Sequence, residues 1–176
     1  MKILITGSNG LLGQKLTALL QEDPAVQLIA TARSASVLPI EKGEFHVLDT
    51  TDPVAVDKII GNTKPDAIIN TAAMTNVDQC ENEKEACWKN NVVSVENIVK
   101  ACEKYNIRLV HVSTDFIFDG SHGPLAEDEK PGPVNYYGES KLAAEQAILK
   151  STVTNCILRT VLVYGITTDM SRSNIV

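Results

Sequence analysis

The chain has 176 residues, 44% of them apolar and 22% charged, the composition of a globular domain with a sizeable core rather than of a disordered segment. A formal net charge of −6 without any block of Lys or Arg excludes nucleic acid and anionic membrane surfaces as expected partners. No apolar run approaches the roughly twenty residues of a bilayer span.

The first apolar run, residues 2–6, predicts a strand; it stops at a glycine turn and is too short for a signal peptide. A helix is expected over 11–21, then strands over 26–31 and 44–48. A helix opens at Pro53 and leads to a fourth strand over 67–70. A long helical region fills 78–105, with a break near 88–91, and 109–113 is the fifth strand. Irregular chain from Gly120 to Pro133 precedes a helix over 136–150 and a sixth strand over 156–163. This alternation predicts right-handed crossovers, a parallel sheet and helices on both faces. The expected architecture is a doubly wound (Rossmann) α/β fold with strand order 3-2-1-4-5-6.

Four cysteines, Cys80, Cys87, Cys102 and Cys156, have neither C-x-x-C pairing nor His at zinc spacing. They predict free thiols, no metal and a cytoplasmic location.

Chemistry concentrates at strand ends. Gly7-Ser8-Asn9-Gly10-Leu11-Leu12-Gly13 joins the first strand to the first helix. Its glycines allow a tight turn, a close approach to a pyrophosphate and close helix packing, and the helix N-terminus adds free N–H groups. Gly7, Asn9, Gly10, Leu11, Leu12 and Gly13 are therefore cofactor candidates. Strand two lacks the acid that grips a ribose 2′-hydroxyl, and Arg33 and Ser34 stand nearby. They favour the 2′-phosphate of NADP(H) over NAD(H), which stays open as the alternative. Asp49, with Thr50 beside it, either accepts from an adenine amino group or starts a turn. After strand four, Thr71, Ala72, Ala73 and Thr75 would let a nicotinamide ribose lie against the backbone.

Tyr137 and Lys141 stand four residues apart, neighbours on one helical face. A free tyrosine titrates near about 10, and a close ammonium lowers that value, so the pair suits proton exchange with an alcohol or carbonyl oxygen. Strand five ends in Ser113-Thr114-Asp115, where a hydroxyl can bind the same oxygen. Asn91 either holds a water chain to the lysine or is an exposed helix asparagine.

These stretches, with 115–120 after Thr114 and Leu158-Arg159-Thr160 near the C-terminus, resemble the extended short-chain dehydrogenase/reductase family. Within it, the dTDP-4-dehydrorhamnose reductase branch is the most similar. The resemblance implies Thr114 as catalytic hydroxyl, Tyr137 as general acid, and Lys141 as the residue that tunes Tyr137 and binds the nicotinamide ribose. Ser113 ranks below Thr114. The implied reaction is hydride transfer from NADPH to the C4 ketone of a nucleotide-linked 4-keto-6-deoxy sugar, as in dTDP-L-rhamnose synthesis. Related dehydratases carry an acid where this chain has Phe116, which speaks against dehydration. The resemblance implies an NAD(P)-binding domain over 1–165 and only the start of a substrate lobe over 166–176, hence a fragment that binds cofactor without turnover. A nucleotide-sugar epimerase and a non-catalytic NADP-binding regulatory subunit are the alternative readings. A homodimer is left open.

Overall fold

The computed structural model describes residues 1–167. Six parallel strands, β1 (Lys2–Thr6), β2 (Gln27–Ala32), β3 (Glu44–Val47), β4 (Ala67–Asn70), β5 (Arg108–Thr114) and β6 (Asn155–Thr160), lie in the order 3-2-1-4-5-6. The helices are α1 (Leu11–Glu22), α2 (Pro53–Thr63), α3 (Val77–Asn82), α4 (Lys84–Trp88), α5 (Ser94–Tyr105) and α6 (Tyr136–Leu149). The expected doubly wound topology is the observed one.

Alternation along β1 shows why both faces are covered. Ile3 and Ile5 join Leu28 and pack with Leu16 and Leu20 of α1. Leu4 points the other way, into the larger core with Ile60 of α2, Ile98 of α5 and Ile148 of α6. The strand order reverses between β1 and β4, the point at which a doubly wound sheet opens a cleft beyond the carboxyl ends of its strands.

Most boundaries fall within a residue or two of expectation. The sixth strand is shorter, ending at Thr160 rather than at 163. Beyond it Val161, Leu162, Tyr164 and Ile166 are exposed. The expected substrate-lobe start falls mainly on 168–176, outside the described residues. The long helical region also differs. It breaks at Glu83, whose backbone leaves the helical range, and the expected break near 88–91 is instead a π-helical turn, Lys89–Val93, continuous with α4 and α5. The wider turn carries Asn91 into the interior, where it is 1% exposed.

One buried ion pair fastens β6 to α6. Glu145 is 1% exposed at its side chain, and Arg159 reaches it through Nη2 at 2.9 Å. Arg159 also donates to the Glu127 carbonyl at 2.7 Å and lies over the Phe118 ring. Removing one partner strands a buried charge, which costs about 3–5 kcal/mol. Arg159→Met is therefore expected to lose that much in urea unfolding, and Glu145→Gln in the Arg159→Met background to recover part of it.

Candidate active site

The turn after β1 brings backbone, not side chains, to the cleft. Gly7 has φ of 69°, and a Cβ on it would stand 2.8 Å from the Ala72 nitrogen. No other residue fits there without moving the β4 end. A Cβ on Gly13 would collide with the Gly7 carbonyl, so this glycine lets α1 pack onto the turn. Helix α1 starts at Gly10 with no side-chain cap and no acidic residue in its first turn. The N–H groups of Leu11, Leu12 and Gly13 thus face the cleft end without a capping side chain, an arrangement suited to an anion.

Asn9 does not reach into the cleft. Its amide donates to Ser34 Oγ at 3.2 Å and to the Ala35 carbonyl at 2.9 Å, and its oxygen accepts from the Val37 N–H. It ties the phosphate loop to the loop after β2. Arg33 is exposed and donates to Asn90 Oδ1 at 3.2 Å. Asp49 accepts from the Thr51 N–H at 2.9 Å, so it does start a turn. Burial pulls its carboxyl up, but the Thr51 hydrogen bonds and the charges of Arg33 and Lys89 outweigh that and leave it below the usual range. Thr50 is buried, and its carbonyl accepts from Asn97. Lys89, which the sequence reading did not single out, thus joins Arg33 near Asp49.

On the other side of the cleft, Thr71 donates to the Thr6 carbonyl at 2.7 Å, and Ala72 and Ala73 line the approach, with Thr75 exposed. Asn91 is neither exposed nor free for a water chain. Its oxygen accepts from the Met74 N–H at 2.7 Å, and its nitrogen donates to the Met74 carbonyl and to Ser140 Oγ, both at 3.0 Å. It fixes the loop after β4 against α6. The sequence signal for this was absent, because the π turn that buries Asn91 is not a periodic pattern.

Helix α6 is capped by Asn135, which accepts from the Gly138 N–H at 2.8 Å. Gly138 sits so close to the Phe116 carbonyl that a Cβ would collide with it. This contact brings Tyr137 to the end of β5, beside the Thr114 side chain. Phe116 meets the Tyr137 ring edge-on at 5.7 Å between centroids. Thr114 donates to Asp115 and accepts from the Phe116 N–H. Ser113, on the opposite face of the strand, is buried and its hydroxyl has no protein partner.

The Lys141 ammonium, expected to tune Tyr137, finds its hydrogen-bond partners on β5. It is held inside, 2.7 Å from the Val112 carbonyl and 3.1 Å from His111 Nε2. Burial pushes Tyr137 up to about 12, and the Thr114 side chain beside it opposes that rise. Burial also brings Lys141 down to about 8, opposed by Glu145. The buried thiols Cys80 and Cys102 are both pushed up to about 12 by burial and are not nucleophiles at neutral pH.

The residues present fit a dinucleotide. The turn leaves no room for a Cβ at Gly7, the first turn of α1 is uncapped, and Ser8 in the loop has a buried hydroxyl without a protein partner. A groove at the opposite edge of the sheet, lined by Lys64, Asp66, Lys104 and Arg108, holds none of these residues.

The family model for the RmlD substrate binding domain matches residues 1–175. The chain belongs to that family. It is 35% identical over 165 residues to dTDP-4-dehydrorhamnose reductase of Aggregatibacter actinomycetemcomitans, covering 93% of this chain and 52% of the relative. It is 33% identical to methionine adenosyltransferase 2 subunit beta of Xenopus laevis, covering 98% and 50%. A crystal structure of a Clostridium acetobutylicum dTDP-4-dehydrorhamnose reductase aligns with TM-score 0.84 at 32% identity, covering 98% of this chain and 57% of that one. The Bacillus anthracis reductase, solved in complex with NADP, aligns with TM-score 0.78 at 29% identity, covering 96% and 56%. This RmlD-family chain thus spans about half the length of the curated relatives it matches.

A buried ammonium is a burden that Lys141 brings to the fold. Its affinity for protons is lower folded than unfolded, so its cost is complete below about pH 8 and fades as pH rises toward the ordinary lysine value of 10.5. Lys141→Met is expected to raise the thermal midpoint at pH 7, with the gain shrinking by pH 10. A lower midpoint at pH 7, unchanged at pH 10, contradicts this placement.

Proposed function

We propose that this chain is the cofactor-binding part of an NADPH-dependent reductase of a nucleotide-linked 4-keto-6-deoxy sugar, similar in reaction to dTDP-4-dehydrorhamnose reductase. The observation that carries the reading is Tyr137 set beside the Thr114 side chain at the carboxyl end of β5, with Lys141 one turn along α6. The bound nicotinamide supplies the hydride. Gly7 and the uncapped α1 N-terminus hold the pyrophosphate, and Arg33 with Lys89 receives the 2′-phosphate. Thr114 positions the ketone oxygen. Tyr137, protonated throughout the neutral range, gives its proton to the oxygen as negative charge develops there. Lys141 binds the nicotinamide ribose, and its charge is drawn toward the phenolate that Tyr137 leaves behind.

Phe116 beside Tyr137 supports reduction over dehydration, since it offers no base to remove a proton. The match to methionine adenosyltransferase 2 subunit beta supports a second reading, a regulatory subunit that binds a dinucleotide. Recovery of the full-length protein in complex with a larger synthetase, without turnover, would favour that reading.

In the full-length protein, Tyr137→Phe is expected to cut turnover of a nucleotide-linked 4-keto sugar by about 10²–10⁴-fold and to leave NADPH affinity close to wild type. Normal turnover in that variant removes the assignment. Calorimetric titration is expected to show NADPH preferred over NADH, and Arg33→Ala to weaken NADPH while leaving NADH nearly unchanged.

A further inference from the structure

Beneath the active site runs a row of buried polar groups that this chemistry does not use. His111 lies on β5 and is 1% exposed. Its Nδ1 is 3.0 Å from Asn70 Nδ2 on β4, and its Nε2 is 3.1 Å from Lys141 Nζ on α6. Asn70 Oδ1 accepts from the Thr6 hydroxyl on β1. Both Asn70 and Thr6 are also 1% exposed. Polar groups this deep are costly unless every one is paired, so their donor count is constrained.

An ammonium has three hydrogens and no acceptor. One of those of Lys141 goes to the Val112 carbonyl at 2.7 Å, and a second points at His111 Nε2. Nε2 then carries no proton, and the neutral ring carries it on Nδ1. The Nδ1–H needs an acceptor. The structure sets Asn70 Nδ2 toward the ring and Oδ1 toward Thr6; the two ends of an amide are told apart only by their hydrogen bonds, and turned over it presents its oxygen to the Nδ1–H and donates from its NH₂ to Thr6. One hydrogen of the ammonium is left over. A carboxylate in place of His111 would form a salt bridge and hold Lys141 tightly charged. An apolar residue would leave a second N–H unpaired.

We propose that His111 is the positioning residue for Lys141: its neutral, Nδ1-protonated ring and the Val112 carbonyl anchor two ammonium hydrogens and aim the third at the cofactor ribose. The last clause rests on the reading of Lys141 as the ribose-binding residue. The titratable group facing the pair is Glu145 from α6, itself paired with Arg159 of β6. Burial first, and the Lys141 charge second, hold His111 well below its ordinary range, so the ring stays neutral where Lys141 is charged.

Two measurements test this. Imidazole nitrogen NMR of the unmodified chain at neutral pH is expected to show His111 with a protonated Nδ1 and a bare Nε2. An Nε2–H tautomer, or protonation near the ordinary histidine value, overturns the proposal. Side-chain carbon NMR of lysine then follows the Lys141 midpoint in His111→Gln and His111→Leu. Gln keeps an acceptor, so its midpoint should stay near the wild-type value. Leu removes the acceptor from the charged form, and proton affinity should fall about tenfold. The same midpoint in all three proteins overturns the proposal, as does an equal fall in Gln and Leu. If His111→Leu does not fold, the tautomer and the Gln variant still decide. NADPH affinity should fall in His111→Leu and hold in His111→Gln. A shifted midpoint with unchanged NADPH affinity overturns the ribose assignment of Lys141 while the His111–Lys141 bond stands.

Discussion

Everything at the carboxyl edge of the sheet is arranged around the approach of Gly7 to Ala72. Two strand ends, β1 and β4, come within a distance that excludes any Cβ between them. That approach sets the depth of the cleft at the point where the strand order reverses. It also fixes the direction in which α1 leaves the turn, because Gly13 lies directly against the Gly7 carbonyl. A helix N-terminus aimed at the cleft follows from this packing rather than from any side-chain cap. The same logic recurs at the other wall. Gly138 lies against the Phe116 carbonyl, and this second close approach brings the Tyr137 phenol to Thr114.

Between these two approaches the protein accepts polar groups in its core. Lys141 is 2% exposed and gives up hydration for two hydrogen bonds. A structure selected for stability alone would place an apolar residue there. The strain is tolerable because the apolar bulk lies elsewhere, in the large cluster of Leu4, Ile60, Ile68, Ile98 and Ile148 between the sheet and α2, α5 and α6. Asn91 works the same way at smaller cost, using its whole amide to hold the β4 loop against α6.

The topology was legible in the sequence because buried parallel strands read as short apolar runs and the glycine spacing after β1 is dictated by backbone contact. Tyr137 and Lys141 were legible as a helical pair for the same periodic reason. What was not legible depends on contacts across the sheet. Lys141 turns inward to His111, a residue that in sequence reads as one more position before Ser113. Asn91 is buried by a π turn, which has no repeat to announce it. Asn9 looks like a phosphate-loop residue by position, yet its side chain is spent on Ser34 and Ala35. Strand β6 stops short of the apolar run that suggested it, since Val161 and Leu162 are exposed and unpaired in the sheet.

The central claim is that the cleft at the carboxyl ends of β1, β4 and β5 is a preorganised dinucleotide site. Backbone amide NMR of the chain during titration with NADPH tests it most directly. The account predicts saturable shifts at Leu11, Leu12 and Gly13, accompanied by Tyr137 to Lys141. Shifts confined to the opposite edge, around Lys64, Lys104 and Arg108, or no saturable shift at all, would contradict it.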